Sequence, residues 1–147
     1  MKLEHSVVIA RPVNDVFDLV GNPDNDPEWG SLIIKSEQTP PGPVGAGSTF
    51  QQTASFMGGS VTTVIEVTDY EPGRLLRYTA TEPIALQHSR IFEEAPEGTR
   101  LTFVIDMQPR GKFLLAGSIL KQIAGRQLKE DLDEIKSLLE APQPAGS

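Results

Sequence analysis

The stretch Ile84-Ala85-Leu86-Gln87-His88-Ser89-Arg90-Ile91-Phe92 sets an imidazole and a guanidinium two residues apart. In an extended chain, alternate side chains share a face, so if Phe92 faces a core, Ile84, Leu86, His88 and Arg90 face it too. Histidine changes charge near neutral pH and is the natural acid or base of the pair. Arginine can polarise a carbonyl or hold an enolate through charge-assisted hydrogen bonds. A guanidinium without a partner is costly to bury, so this register calls for one: Glu66, Asp106, or an acidic or carbonyl group on a ligand. The alternative is structural, with Arg90 near a strand end reaching solvent or a surface carboxylate, and His88 a core histidine satisfied by one hydrogen bond.

Other side chains could join that chemistry. Tyr78 alternates with Leu76 and Ala80 and would offer its hydroxyl to a carbonyl or phenol, or simply pack. Gln52 is in register with Phe50, Ala54 and Phe56, as a polar cavity contact or an edge residue. Trp29, the only tryptophan, follows the polar segment NPDNDPE. Its expected role is to anchor the preceding turns on the core, with the indole N–H reaching a carbonyl; the alternative makes it a wall or gate of a pocket. The acidic residues before it are expected to cap and solubilise the turn. GPVGAGST at 42–49 superficially resembles a phosphate loop. It lacks the lysine and precedes a strand instead of a helix, so it reads as a hairpin turn. No carboxylate pair stands at a defensible catalytic spacing, and one sequence places no Ser-His-Asp arrangement.

Composition narrows the classes further. The 147 residues suffice for one domain with its own core, expected over 1–140 with a disordered tail at 141–147. The chain has no cysteine and two histidines, which removes thiolate catalysis and disulfides and argues against a zinc centre. No metal and no cofactor are expected. A net charge of −7 is the wrong sign for a phosphate backbone, so nucleic acid is not an expected partner. No run approaches the roughly 18 apolar residues of a membrane span. MKLEHSVVIA alternates where a secretory signal would be solidly apolar, and the expected location is cytoplasmic.

These side chains must be held by elements the pattern also defines. Residues 2–10 read as a strand, and Pro12 suits the first position of a short helix whose Val13, Val16, Phe17 and Val20 fall at helical spacing before Gly21. Asn22 or Asp24 can cap a second short helix, with Asp26 and Glu28 near its positive start. Period-two patterning then gives strands near 31–38, 48–56, 60–70, 74–82, 84–94 and 99–108, separated by Gly- and Pro-rich turns. Short links favour an antiparallel meander with one apolar face. From Lys112 to Glu140 an apolar stripe at three- and four-residue spacing predicts one long helix that needs a sheet to cover. Its first half, FLLAGSIL, is apolar on more sides and is expected to touch something besides the sheet.

The segments IARPVNDVFDLVGNPDNDPEWGS at 9–31, GPVGAGSTF at 42–50, VTDYEPGRLLRY at 67–78, IFEEAPEGTRLTF at 91–103 and the leucine-rich final helix run in one order over about 130 residues. In that order they resemble the START-like superfamily, also called helix-grip or SRPBCC proteins, and within it the polyketide cyclase/dehydrase and lipid-transport group. The resemblance implies an α+β helix-grip fold: a curved seven-stranded antiparallel sheet wrapped around a long C-terminal helix, with two short helices after strand 1. Its Phe-Glu turn supports an inward Phe92. It further implies a cavity for a hydrophobic or polycyclic small molecule, lipid-like or aromatic polyketide-like. The expected lining is Trp29, Phe50, Gln52, Ala54, Leu76, Tyr78, Leu86, His88, Arg90, Phe103, Phe113, Ala116 and Leu120. A catalytic set is unknown, with His88, Arg90 and Tyr78 as candidates for aldol closure and dehydration in an aromatase/cyclase or dehydrase. A third implied role is a protein-interaction module of the co-chaperone-activator kind. The assembly expected is a monomer or homodimer.

Overall fold

The computed structural model describes residues 1–56, 58–82, 84–109, 111, 114 and 117–142. Seven strands form one antiparallel sheet: β1 (Lys2–Ile9), β2 (Ile33–Gln38), β3 (Thr49–Phe56), β4 (Gly59–Glu71), β5 (Leu75–Ala80), β6 (Ala85–Ala95) and β7 (Gly98–Gln108). Their order is β1-β7-β6-β5-β4-β3-β2, so β2 to β7 run as a meander and the first strand closes beside the last. Between β1 and β2 lie α1 (Val13–Val20) and a 3-10 helix (Pro23–Glu28); after β7 comes α2 (Gly117–Glu140). Among the described residues no helix is long and apolar enough to cross a membrane.

Local chemistry accounts for the boundaries. Pro12 stands at the N-cap of α1, one place earlier than the expected first helical position, and the Gly21 N–H closes the helix on the Phe17 carbonyl. The Asn22 side chain accepts the Asp24 N–H at the start of the 3-10 helix, where Pro23 is preorganised. The segment at 42–47 joins β2 to β3, as a hairpin connection should. At the β6–β7 turn Gly98 takes φ +147°, where its missing side chain lets Ile9 and Arg11 backbone approach.

The described helix, Gly117–Glu140, lies within the span its stripe predicts. Leu114 lies in a turn whose N–H reaches the Gly111 carbonyl, Gly111 has φ +58°, and the described helix begins at Gly117. Leu114, which the stripe assigned to the helix, lies in this turn instead, three residues after a glycine in the left-handed region. Phe113 and Ala116 lie outside the described residues, as does most of the expected tail at 141–147. Along α2 the two halves differ. Leu128, Leu132 and Ile135 join Leu3, Ile9, Phe17, Trp29, Phe92, Leu101 and Phe103 in the main core. Near the helix end, Lys136 Nζ donates to the Val8 carbonyl and Arg11 donates to the Leu139 carbonyl, tying that end to β1 and to the turn that follows it. The first half instead leaves Ile119 and Ile123 exposed while Leu120 and Ala124 border an internal space.

Candidate ligand cavity

Between the sheet and the first half of α2 lies a cavity of about 290 Å³. Its wall is mostly apolar, with Ile33, Ile84, Phe103, Ile105, Met107, Leu120, Ile123, Ala124 and Leu128 among the lining residues. The sequence-expected Trp29, Gln52, Tyr78, His88, Arg90, Phe103 and Leu120 are in this wall. Phe50, Leu76 and Leu86 are not; they pack with Ile65, Val67, Tyr78 and Ala80 in a second apolar cluster. Ala54 is half-buried on β3 and is also outside the wall. The face assigned to these four residues is shared along several strands, but the curved sheet brings only part of it to the helix.

Arg90 faces inward with His88 on β6, and its partner is neither Glu66 nor Asp106. It is Asp26, from the 3-10 helix. Arg90 and Asp26 are each only 1% exposed. Nη1 donates to Oδ1 and Nη2 to Oδ2, both at 2.9 Å, and Nη1 also donates to the Val20 carbonyl at 3.1 Å. Gln52 Nε2 adds a bond to Asp26 Oδ2 at 2.8 Å and another to Ser36 at 3.1 Å. The solvent-facing alternative for Arg90 is therefore overturned, and so is the surface-cap role for Asp26. This acid buried in a polar segment carries the charge that a buried guanidinium requires. Burial works against the Arg90 charge, but the Asp26 carboxylate and the bonds to Asp26 and Tyr78 outweigh it and raise its pKa above the ordinary arginine value.

Aromatic groups enclose the pair. The guanidinium carbon lies 4.9 Å from the Trp29 ring centre and 5.4 Å from those of Tyr78 and Phe103, within cation–π range. Trp29 thus anchors the short helices through its stacking on Arg90. The carbonyl contact expected for its indole N–H is not made: Nε1 has no partner among the described residues. Tyr78 Oη is 2.7 Å from His88 Nδ1 and 3.4 Å from Arg90 Nη2. Burial raises the Tyr78 pKa to about 12 against the lowering effect of Arg90, so the phenol keeps its proton at neutral pH. His88 is held well below the usual imidazole pKa, first by burial and then by the Arg90 charge, so its ring is neutral.

Sequence reasoning did not single out Asp131 or Gln127, which enter from α2. Gln127 Nε2 donates to Asp131 Oδ1 at 2.8 Å and to Ser31 at 2.6 Å. Burial raises the Asp131 pKa, an effect its hydrogen bond from Gln127 opposes. The available signal was their i,i+4 spacing on the side of the helix bearing Leu120, Ala124 and Leu128. Among the described residues no group of three His, Cys, Asp or Glu side chains is placed to hold a metal ion.

A family model described as polyketide cyclase/dehydrase and lipid transport matches residues 1–140. The chain belongs to that family. Its seven-stranded sheet and C-terminal helix are the START-like helix-grip fold. No curated protein matches the sequence. Among solved structures, TTHA0849 from Thermus thermophilus is similar with a TM-score of 0.81 at 14% identity, covering 95% of this chain and 97% of that one. The di-domain ARO/CYC StfQ from the steffimycin biosynthetic pathway gives a TM-score of 0.77 at 16% identity. That alignment covers 95% of this chain but 50% of StfQ, so this chain spans half the length of the di-domain protein. Ara h 8.0201 gives 0.71 at 16% identity, covering 95% of this chain and 97% of that one. At these identities the likeness is one of fold, and family membership supports a broad hydrophobic small-molecule role.

Proposed function

We propose that the cavity between sheet and α2 binds a hydrophobic or polycyclic small molecule, lipid-like or aromatic polyketide-like. The observation that carries this reading is the largely apolar space of about 290 Å³ with a few polar groups gathered at Trp29, His88 and Arg90. Small-molecule sites commonly have that composition. In this reading the protein works in the cytoplasm as a monomer or homodimer. Titration with fluorene should quench Trp29 emission at micromolar or weaker affinity, because Trp29 is in the wall. Saturable binding without any change in Trp29 emission would place the ligand elsewhere.

A second reading, cyclase or dehydrase chemistry, is favoured by His88, whose Nε2 has no partner among the described residues. In that reading His88 moves a proton on the substrate, Tyr78 supports the imidazole, and Arg90 acts through Tyr78 because both of its Nη groups are engaged by Asp26. The His88→Gln variant separates the readings. A binding protein retains affinity within about tenfold. An enzyme loses about 100-fold or more in turnover of a poly-ketone substrate while still binding it.

A further inference from the structure

Three buried polar atoms lack partners among the described residues: Trp29 Nε1, His88 Nε2 and Arg90 Nε. All three residues belong to the wall of the same cavity. The indole and guanidinium nitrogens can only donate, whereas His88 Nε2 donates or accepts according to its tautomer. The contacts around Tyr78 decide which. A guanidinium cannot accept, so at Arg90 Nη2 the phenol oxygen accepts, at 3.4 Å. The phenol oxygen has a second lone pair that an Nδ1–H would fill, but His88 Nδ1, at 2.7 Å, is the acceptor within reach of the phenol hydrogen among the described residues, so donation to Nδ1 leaves neither group unmatched. A neutral imidazole accepting at Nδ1 carries its hydrogen on Nε2.

We propose that the chain Asp26–Arg90–Tyr78–His88 fixes His88 as the Nε2–H tautomer, and that the resulting group of unmatched donors selects ligands with an uncharged acceptor, such as a ketone, quinone or ester carbonyl, over carboxylates. Tyr78 is the positioning residue in this device, and the inference about the ligand rests on the cavity proposed above. At the buried end both Asp26 oxygens already receive bonds from Arg90, while toward α2 Asp131 Oδ1 receives one from Gln127. Beside the three unmatched nitrogens a ligand carbonyl would relieve a buried donor that is costly to leave unmatched. A carboxylate fares worse. The Arg90 charge is balanced by Asp26, His88 is neutral, and Asp131 shares with Trp29 the boundary to an outer cleft that carries Glu28, Glu130 and Glu134. An anion entering the cavity would lose its hydration with no free positive charge to replace it.

The test combines a spectrum with a matched ligand series. In histidine-¹⁵N protein carrying His5→Asn to remove the other imidazole, long-range ¹H–¹⁵N correlation should show a pyridine-like Nδ1 and a pyrrole-like Nε2 at His88. Tyr78→Phe should remove that preference. For binding, 9-fluorenone should be about tenfold tighter than fluorene, and fluorene-9-carboxylate weaker than both, with the ketone advantage falling below about threefold in Tyr78→Phe. A pyrrole-like Nδ1 in the wild type, or fluorene or the carboxylate binding as tightly as the ketone, overturns the proposal. If Tyr78→Phe does not fold, the wild-type spectrum and series still decide. Failure of all three ligands to bind refutes the cavity reading and with it the ligand selection, while the spectrum judges the tautomer independently.

Discussion

Replacing Arg90 by Met tests whether the buried ion pair holds the two short helices to the sheet. Met retains much of the apolar volume but removes both 2.9 Å bonds to Asp26. The carboxylate would remain at 1% exposure with Gln52 as its remaining side-chain donor. Breaking a buried pair from one side costs about 3–5 kcal/mol, mostly through the stranded charge. At about 3 °C per kcal/mol for a chain of this length, the midpoint should fall by roughly 10–15 °C. Asp26→Asn should cost a similar amount by stranding the guanidinium. The double variant Asp26→Asn/Arg90→Met leaves no buried charge and should recover at least about 2 kcal/mol relative to the sum of the singles. Urea unfolding of the four proteins, monitored by far-ultraviolet circular dichroism, measures this coupling. A loss below about 1 kcal/mol in Arg90→Met, or strict additivity in the double variant, would refute the assignment of the pair as structural.

His88 also gives stability a pH dependence. Its folded pKa is below that of the unfolded chain, so from about pH 6.5 downward the unfolded state binds a proton that the native state refuses. Its contribution should therefore be fully present above about pH 7 and fall with decreasing pH by up to about 1.4 kcal/mol per unit; His88→Gln should remove that slope between about pH 7 and 5. Asp131, whose pKa is raised, acts in the opposite sense, so the slope attributed to His88 is the difference between the wild type and His88→Gln. Gly98→Ala should destabilise the fold by more than about 1 kcal/mol, because a Cβ there overlaps the Ile9 carbonyl at a positive φ; an unchanged thermal midpoint would refute it.

Period-two alternation and turn residues made the meander legible, because each strand buries one face and each break has its own backbone chemistry. The same alternation put His88 and Arg90 on one inward face, as it did Tyr78 and Gln52 on their strands. Asp26 was hidden for a physical reason: a carboxylate among Asn, Asp, Glu and Pro looks solvated, and its partner lies 64 residues away. The missing counter-charge for Arg90 was the one usable clue, but Glu66 and Asp106, on sheet strands, drew attention away from the short helix. Periodicity also said which side chains face inward without saying how far the helix stands above them. Phe50, Leu76 and Leu86 consequently pack among themselves, while the cavity opens beside Leu120 and Ala124.

The pairing of β1 with β7 has a consequence for synthesis. Ile9 lies opposite Thr99 and Lys2 opposite Asp106, so the first strand of the sheet has no sheet neighbour until the last strand, β7, has been translated. At roughly 5–20 residues per second, the N-terminal segment waits for about 5–20 s with its Val and Ile face unpaired. Asp26 likewise emerges well before Arg90. Closure of the sheet therefore waits for β7, and until then the unpaired first strand is the segment that a holdase chaperone would need to shield.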